Sequence, residues 1–204
     1  MSFVSRSLVA AAAVLACSGA SAVDLVANGD FELGASNWNL IPTTGITVIS
    51  AYSACCSITG TYAGGQNAAF FGWDNLTGGQ IWQDMTTTIG QQYTLTFQYG
   101  AISANSLQSL KAEVLDGTSV LGFLDVSATG TSNLAAILSA PYSLSFVASS
   151  ITTRLLFSDT SSITNSVDGV LDNISVTAVP EPGTYAMLLA GLAAVGFVAR
   201  RRKL

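Results

Sequence analysis

The run Tyr93-Thr-Leu-Thr-Phe-Gln-Tyr99 leaves the middle of this chain little choice but a β-sheet. Tyr93, Leu95, Phe97 and Tyr99 fall on one side of an extended backbone and Thr94, Thr96 and Gln98 on the other, which is the period of a half-buried strand. Gly90 supplies a turn before it. The pattern repeats where Tyr142, Leu144 and Phe146 alternate with Ser143 and Ser145, and where Ile174, Val176 and Ala178 alternate with Asn173, Ser175 and Thr177. Asp116-Gly117 separates Lys111–Leu115 from Ser119–Leu124, the dipeptide of a tight hairpin. Further strands are expected over Ile46–Ile49, Ala68–Phe71, Gln80–Met85 and Thr153–Ser158. No segment between the chain ends has a helical period, and no internal repeat is found. Many short antiparallel strands at this spacing imply an all-β fold, a two-sheet antiparallel sandwich.

The two ends have a different character. Arg6 precedes the apolar run Leu8–Ala16, and Ala20-Ser21-Ala22 offers a small-residue cleavage site, so residues 1–22 read as a signal peptide and the mature chain starts near Val23. Val14-Leu15-Ala16-Cys17 loosely matches a lipoprotein box, which makes a lipidated Cys17 the alternative. At the other end, Val179-Pro180-Glu181-Pro182-Gly183 leads into the uncharged stretch Tyr185–Ala199 and then Arg200, Arg201, Arg202 and Lys203. The prolines forbid a helix immediately upstream. The apolar stretch is expected to form a transmembrane helix over 184–199, at the short end of what a bilayer core requires. The basic tail 200–204 would stay cytoplasmic. Motif, hydrophobic helix and basic cluster in this order resemble the PEP-CTERM sorting signal of Gram-negative bacteria. The resemblance implies export through the inner membrane, transient anchoring by the C-terminal helix, and removal of the tail by the sorting protease exosortase. The protein would then reach the cell surface or the extracellular matrix. An ordinary tail anchor is the alternative. The chain thus divides into 1–22, a β-sandwich domain over 23–178, and a sorting segment over 179–204.

Removing both ends changes the charge balance. Of seven basic residues only Lys111 and Arg154 remain, against eleven of the twelve acids, so a whole-chain charge of −5 conceals a domain of −9. Such a surface repels phosphate backbones and excludes nucleic acid as a partner. The chain has no histidine, which excludes Ser-His-Asp and Cys-His catalysis and the usual zinc sites.

Leu25-Val-Ala-Asn-Gly-Asp-Phe-Glu32 followed by Trp38 resembles the opening strand of galactose-binding-like jelly rolls, a group that includes many carbohydrate-binding modules. Ile81-Trp82-Gln83, then Gly90–Phe97, and Leu171-Asp-Asn-Ile-Ser-Val176 as closing strand extend the resemblance over most of residues 24–178. It implies a jelly-roll sandwich and binding of a polysaccharide or surface glycan. It also implies a structural calcium held near the first and last strands, where Asp30, Glu32 and Asp172 stand; a hard cation needs several such oxygens. In the alternative, Asp30 is a turn residue, Glu32 a solvated strand residue and Asp172 a strand-end hydrogen-bond acceptor.

Sugar rings have apolar faces, so flat aromatics with nearby polar groups are the candidates for a glycan site. Trp82 alternates with Ile81 and Gln83 and is expected to point away from the core with Gln80 and Asp84. Trp73 and Tyr62, in Gly-rich stretches, could rim such a site, whereas Trp38 is expected in the core. Cys55-Cys56 is a possible vicinal disulfide, strained because adjacent α-carbons lie about 3.8 Å apart. Free buried thiols and intermolecular crosslinks are the other options. Paired carboxylates are the only catalytic chemistry left, and no two acids stand out as a pair. These readings converge on a non-enzymatic exported glycan-binding module, with a self-associating structural matrix protein as the alternative.

Overall fold

The computed structural model describes residues 23–41, 45–49, 67–72, 75–102, 107–130, 137–138, 140–164, 169–180 and 182–201. Among the described residues the strands run in chain order as β1 Asn39–Leu40, β2 Ile46–Ile49, β3 Ala68–Phe71, β4 Gln80–Thr86, β5 Gln92–Ala101, β6 Leu107–Asp116, β7 Ser119–Thr129, β8 Ile137–Leu138, β9 Tyr142–Val147, β10 Thr152–Asp159 and β11 Gly169–Ala178. They form a five-stranded sheet in the order β1-β4-β10-β6-β7 and a second sheet in the order β2-β3-β11-β5-β8, with β9 also pairing with β5. The pairings are antiparallel throughout. Every strand expected from alternation is present within a residue or two, apart from β6, β7 and β11, which extend further.

The inner faces follow the period of two. Tyr93, Leu95, Phe97 and Tyr99 of β5 are buried against Ile81, Leu110, Ala112, Val114, Leu155 and Phe157 of the five-stranded sheet. Phe97 sits edge-on to Phe157 with centroids 5.2 Å apart, and Tyr93 stacks on Phe146 at 5.5 Å. Trp38 belongs to this core, as expected: it lies 5.3 Å from Phe31 and 6.4 Å from Phe157, and its Nε1 donates to the Asn28 carbonyl at 2.9 Å.

One expectation changes. Leu25–Glu32 is not a strand. Only Asp24 bridges to Thr177 and the Leu25 N–H bonds to Val176 O; the rest winds through turns with Asn28, Phe31 and Asn37 at positive φ. Asn28 replaces the missing ladder, with Nδ2 donating to the Gly34 and Ser36 carbonyls and Oδ1 accepting from the Leu33 N–H. Asparagine is among the few residues that tolerate this backbone region. Buried Gln83 ties the segment to β4 through Ala27 and Asn37. At the C-terminus, a helix α1 forms over Pro182–Arg201, with Arg200 and Arg201 in its last turn, where cations suit the negative end of the dipole. Among the described residues, no helix is long and apolar enough to cross a membrane.

Candidate functional site: the outer face of the five-stranded sheet

In β4, Ile81, Gln83 and Met85 are buried, while Gln80, Trp82, Asp84 and Thr86 turn outward. Antiparallel register then aligns side chains across the sheet. Trp82 lies beside Leu156 of β10, Leu156 beside Glu113 of β6, and Glu113 beside Phe123 of β7. Trp82 and Phe123 are three strand spacings apart, about 14 Å, with Leu156 between them and Phe123 56% exposed. In the next row Asp84 faces Arg154. The Arg154 guanidinium donates from Nε to Asp84 Oδ1 at 2.7 Å and from Nη2 to Oδ2 at 2.9 Å, and lies 3.7 Å from the centre of the Trp82 ring. Lys111 repeats the arrangement, with Nζ 2.8 Å from Glu113 Oε1 and 5.2 Å from the Phe123 ring centre. Hydrogen bonds to Asp84 and Glu113 raise the pKa of Arg154 and of Lys111 respectively. The domain's two cations thus share one face, each laid over an aromatic ring. Gln80 and Ser158, hydrogen-bonded to each other at 3.1 Å, add polar groups. A shallow cleft of about 430 Å³ adjoins Arg154 between Asp84, Asp116 and Thr152.

Trp82 therefore points where its alternation placed it. Trp73, Tyr62, Cys55 and Cys56 lie outside the described residues, as do Cys17, Glu181, Arg202 and Lys203. Sequence reasoning did not select Phe123, Leu156 or the two cations as its neighbours.

The three candidate calcium ligands come within electrostatic reach of one another. The N-terminal turn packs on a bulge of β11 between Asp172 and Ser175, where the Ile174 N–H donates to Gly29 O at 2.9 Å. A side chain at Gly29 would collide with the Ile174 carbonyl, so the contact requires glycine. Asp172 is buried, and its pKa is pushed up to about 7 by burial first; the Asn173 N–H opposes this, and the charges of Glu32 and Asp30 add to it. Glu32 Oε1 accepts from the Asn67 N–H at 2.8 Å and Asp30 Oδ1 from the Glu32 N–H at 3.4 Å. Among the described residues, no three acids or thiols are grouped closely enough to hold a metal by side chains alone. A calcium ion here would need backbone carbonyls and water as well.

The tail begins where the sheet stops. β11 ends at Ala178, and the Val179 N–H still donates to Gln92 O at 2.8 Å while its carbonyl accepts from Gln91 Nε2 at 2.7 Å. Pro180 and Glu181 alone separate this last sheet contact from α1.

Residues 178–203 match the PEP-CTERM protein-sorting motif.

A motif of this kind implies export and sorting to the cell surface. No curated protein matches the chain. Among solved structures, it is similar to TmCBM61 in complex with β-1,4-galactotriose, with a TM-score of 0.55 and 15% identity over 77% of this chain and 99% of that one. It is also similar to the CBM22-1 xylan-binding domain of Paenibacillus barcinonensis Xyn10C, with a TM-score of 0.51 and 12% identity over 78% of this chain and 97% of that one. These likenesses show the fold alone: a two-sheet antiparallel jelly roll, the architecture of both modules.

Proposed function

We propose that this chain is an exported, non-catalytic glycan-binding protein whose site is the outer face of the five-stranded sheet. The observation that carries the reading is the row Trp82–Leu156–Glu113–Phe123, with an aromatic side chain at each end, Leu156 and the ion-paired Glu113 between them, and hydrogen-bonding groups beside it. A sugar chain laid along it would meet rings at both ends and polar partners at Gln80, Asp84 and Arg154. Glu113, Asp84 and Asp125 outnumber Lys111 and Arg154 on this face, so the chemistry favours a neutral polysaccharide over an acidic one. Exosortase is the processing partner that the motif implies, and the cell surface or extracellular matrix is the destination. Calcium at Asp30, Glu32 and Asp172 would be structural, compensating a buried carboxylate rather than contacting the glycan.

Affinity electrophoresis against neutral and acidic polysaccharides tests the site. Retardation by at least one neutral glycan, lost in Trp82→Ala, is the expected result. Binding that survives Trp82→Ala would move the site elsewhere, and silence on every glycan combined with concentration-dependent assembly would favour a structural matrix protein.

A further inference from the structure

We propose that the end of the sandwich from which the sorting tail leaves is a bilayer-facing surface, resting on lipid while the tail is still attached. The inference does not depend on the glycan reading.

The tail has almost no slack. Val179 is stitched to Gln91 and Gln92, and α1 starts three residues later at Pro182, a reach of about 11 Å even when fully extended. Any lipid that holds the apolar residues of α1 is therefore close to the turn that precedes β5. That turn, Thr87–Gln91, is laced to the turn between β9 and β10. Gly90 N–H donates to Ala148 O at 2.8 Å, Ala148 N–H to Gln91 O at 3.1 Å, and Thr87 N–H to Ile151 O at 3.0 Å. The tips of the paired turns are apolar: Ile89 is 63% exposed, Ile151 68% and Val147 53%. Val23 is exposed at the same end, because Asp24 bridges to Thr177 near the end of β11.

Neither turn, 87–91 or 147–151, contains a charged residue, although the domain is strongly acidic. Two carboxylates stand at the same end: Asp116 accepts a hydrogen bond from Ser149 Oγ at 2.5 Å, and Asp24, exposed beside Val23, accepts from the Val26 and Val176 N–H groups. The exposed isoleucines can enter the headgroup boundary while these carboxylates stay in the headgroup water. The opposite end also exposes Leu33, Leu107 and Ile163, but no chain end leaves there to bring it to a membrane. Because neither turn contributes a cation, the attraction is apolar and should not need anionic lipid.

The test uses the chain with its C-terminal helix in phosphatidylcholine bicelles carrying a gadolinium-chelating headgroup lipid, with backbone amide relaxation as the readout. Amides of 87–91 and 147–151 should relax severalfold faster than those of the turns around Leu33 and Ile163. The double variant Ile89→Ser/Ile151→Ser should lose that difference while keeping its unfolding midpoint. Adding phosphatidylglycerol should leave the difference unchanged. Equal enhancement at both ends, enhancement of α1 alone, enhancement retained in the double variant, or enhancement that appears only with phosphatidylglycerol would each overturn the proposal. Chemical-shift changes in the rim that track protein concentration without gadolinium enhancement would assign it to a second copy instead, and would also overturn it.

Discussion

The two outer faces of this sandwich are built from the same strand pattern and carry opposite chemistry. On the five-stranded sheet, Trp82, Leu156 and Phe123 share a row, and both cations of the domain lie over the rings. On the other sheet, Ser145 lies beside Thr94 and Thr94 beside Thr177, while Ser143 lies beside Thr96 and Thr96 beside Ser175. That face is a lattice of short hydroxyls, and β5 and β9 contain no charge at all. Hydroxyl lattices solvate a sheet without giving a ligand a flat apolar surface, whereas aromatic rings give one at little conformational cost. The difference lies in residue size and charge, not in fold, and it is the reason the five-stranded face is the one proposed to bind a glycan.

The largest expected effect separates the core from the working face. Trp38 and Trp82 are both tryptophans near β4, but Trp38 packs on Phe31 and Phe157 while Trp82 lies on the surface beneath Arg154. Trp38→Ala should destabilise the fold by about 3–5 kcal/mol in chemical denaturation. Trp82→Ala should cost under about 1 kcal/mol of stability yet weaken glycan binding by roughly 30-fold, as loss of a central aromatic anchor does. Thr94→Ala/Thr96→Ala on the hydroxyl face should leave binding unchanged. Loss of binding in that double variant would reverse the assignment of the two faces.

A second effect concerns the bulge that supports the hydroxyl-bearing sheet. The folded-state pKa of Asp172, about 7, stands above its ordinary value of 3.8, so between those values the folded chain binds more protons than the unfolded one. Stability should therefore fall as pH rises from about 4 to 7, by on the order of 4 kcal/mol at most, in urea titrations with chelator present. Millimolar calcium should flatten that slope, because a bound cation favours the ionised carboxylate. An unchanged slope with calcium would remove the ion from the account, and Asp172→Asn should flatten it without calcium.

Much of this fold was legible because alternation alone separates inner from outer residues, as at Ile81, Trp82 and Gln83. Two bulges were not. Asp116 pairs with Ser119 and Leu115 with Val120, but Val114 pairs with Gly122, one residue beyond regular hairpin register. Without that extra residue Phe123 would lie beside Ala112 and face the core, so its place at the working face depends on a local irregularity with no signature in composition. The bulge in β11 likewise opens the space in which the N-terminal turn brings Asp30 and Glu32 toward Asp172. That turn reads as a strand in sequence because its apolar residues give no sign of the Asn28-led hydrogen bonds that shape it. Lys111 and Arg154 were visible as the domain's only cations, yet their shared face appears only once β4, β10, β6 and β7 are in register.

The smallest expected effect probes why that face holds charge at all. Asp84→Asn removes the bidentate partner of Arg154. Both side chains are about two-fifths exposed, so an ion pair of this kind contributes about 0.2–1 kcal/mol, and stacking on Trp82 should keep the guanidinium in place. The unfolding midpoint should barely move, and affinity for a neutral glycan should stay within about twofold. Affinity for an acidic glycan should rise, because three carboxylates against two cations become two against two. The rise should be largest at low ionic strength, where screening is weakest. If Asp84→Asn instead weakens neutral glycan binding as strongly as Trp82→Ala, then the carboxylate itself contacts the sugar, and Asp84 belongs to the ligand-contacting groups of this face rather than to the pair that sets its charge.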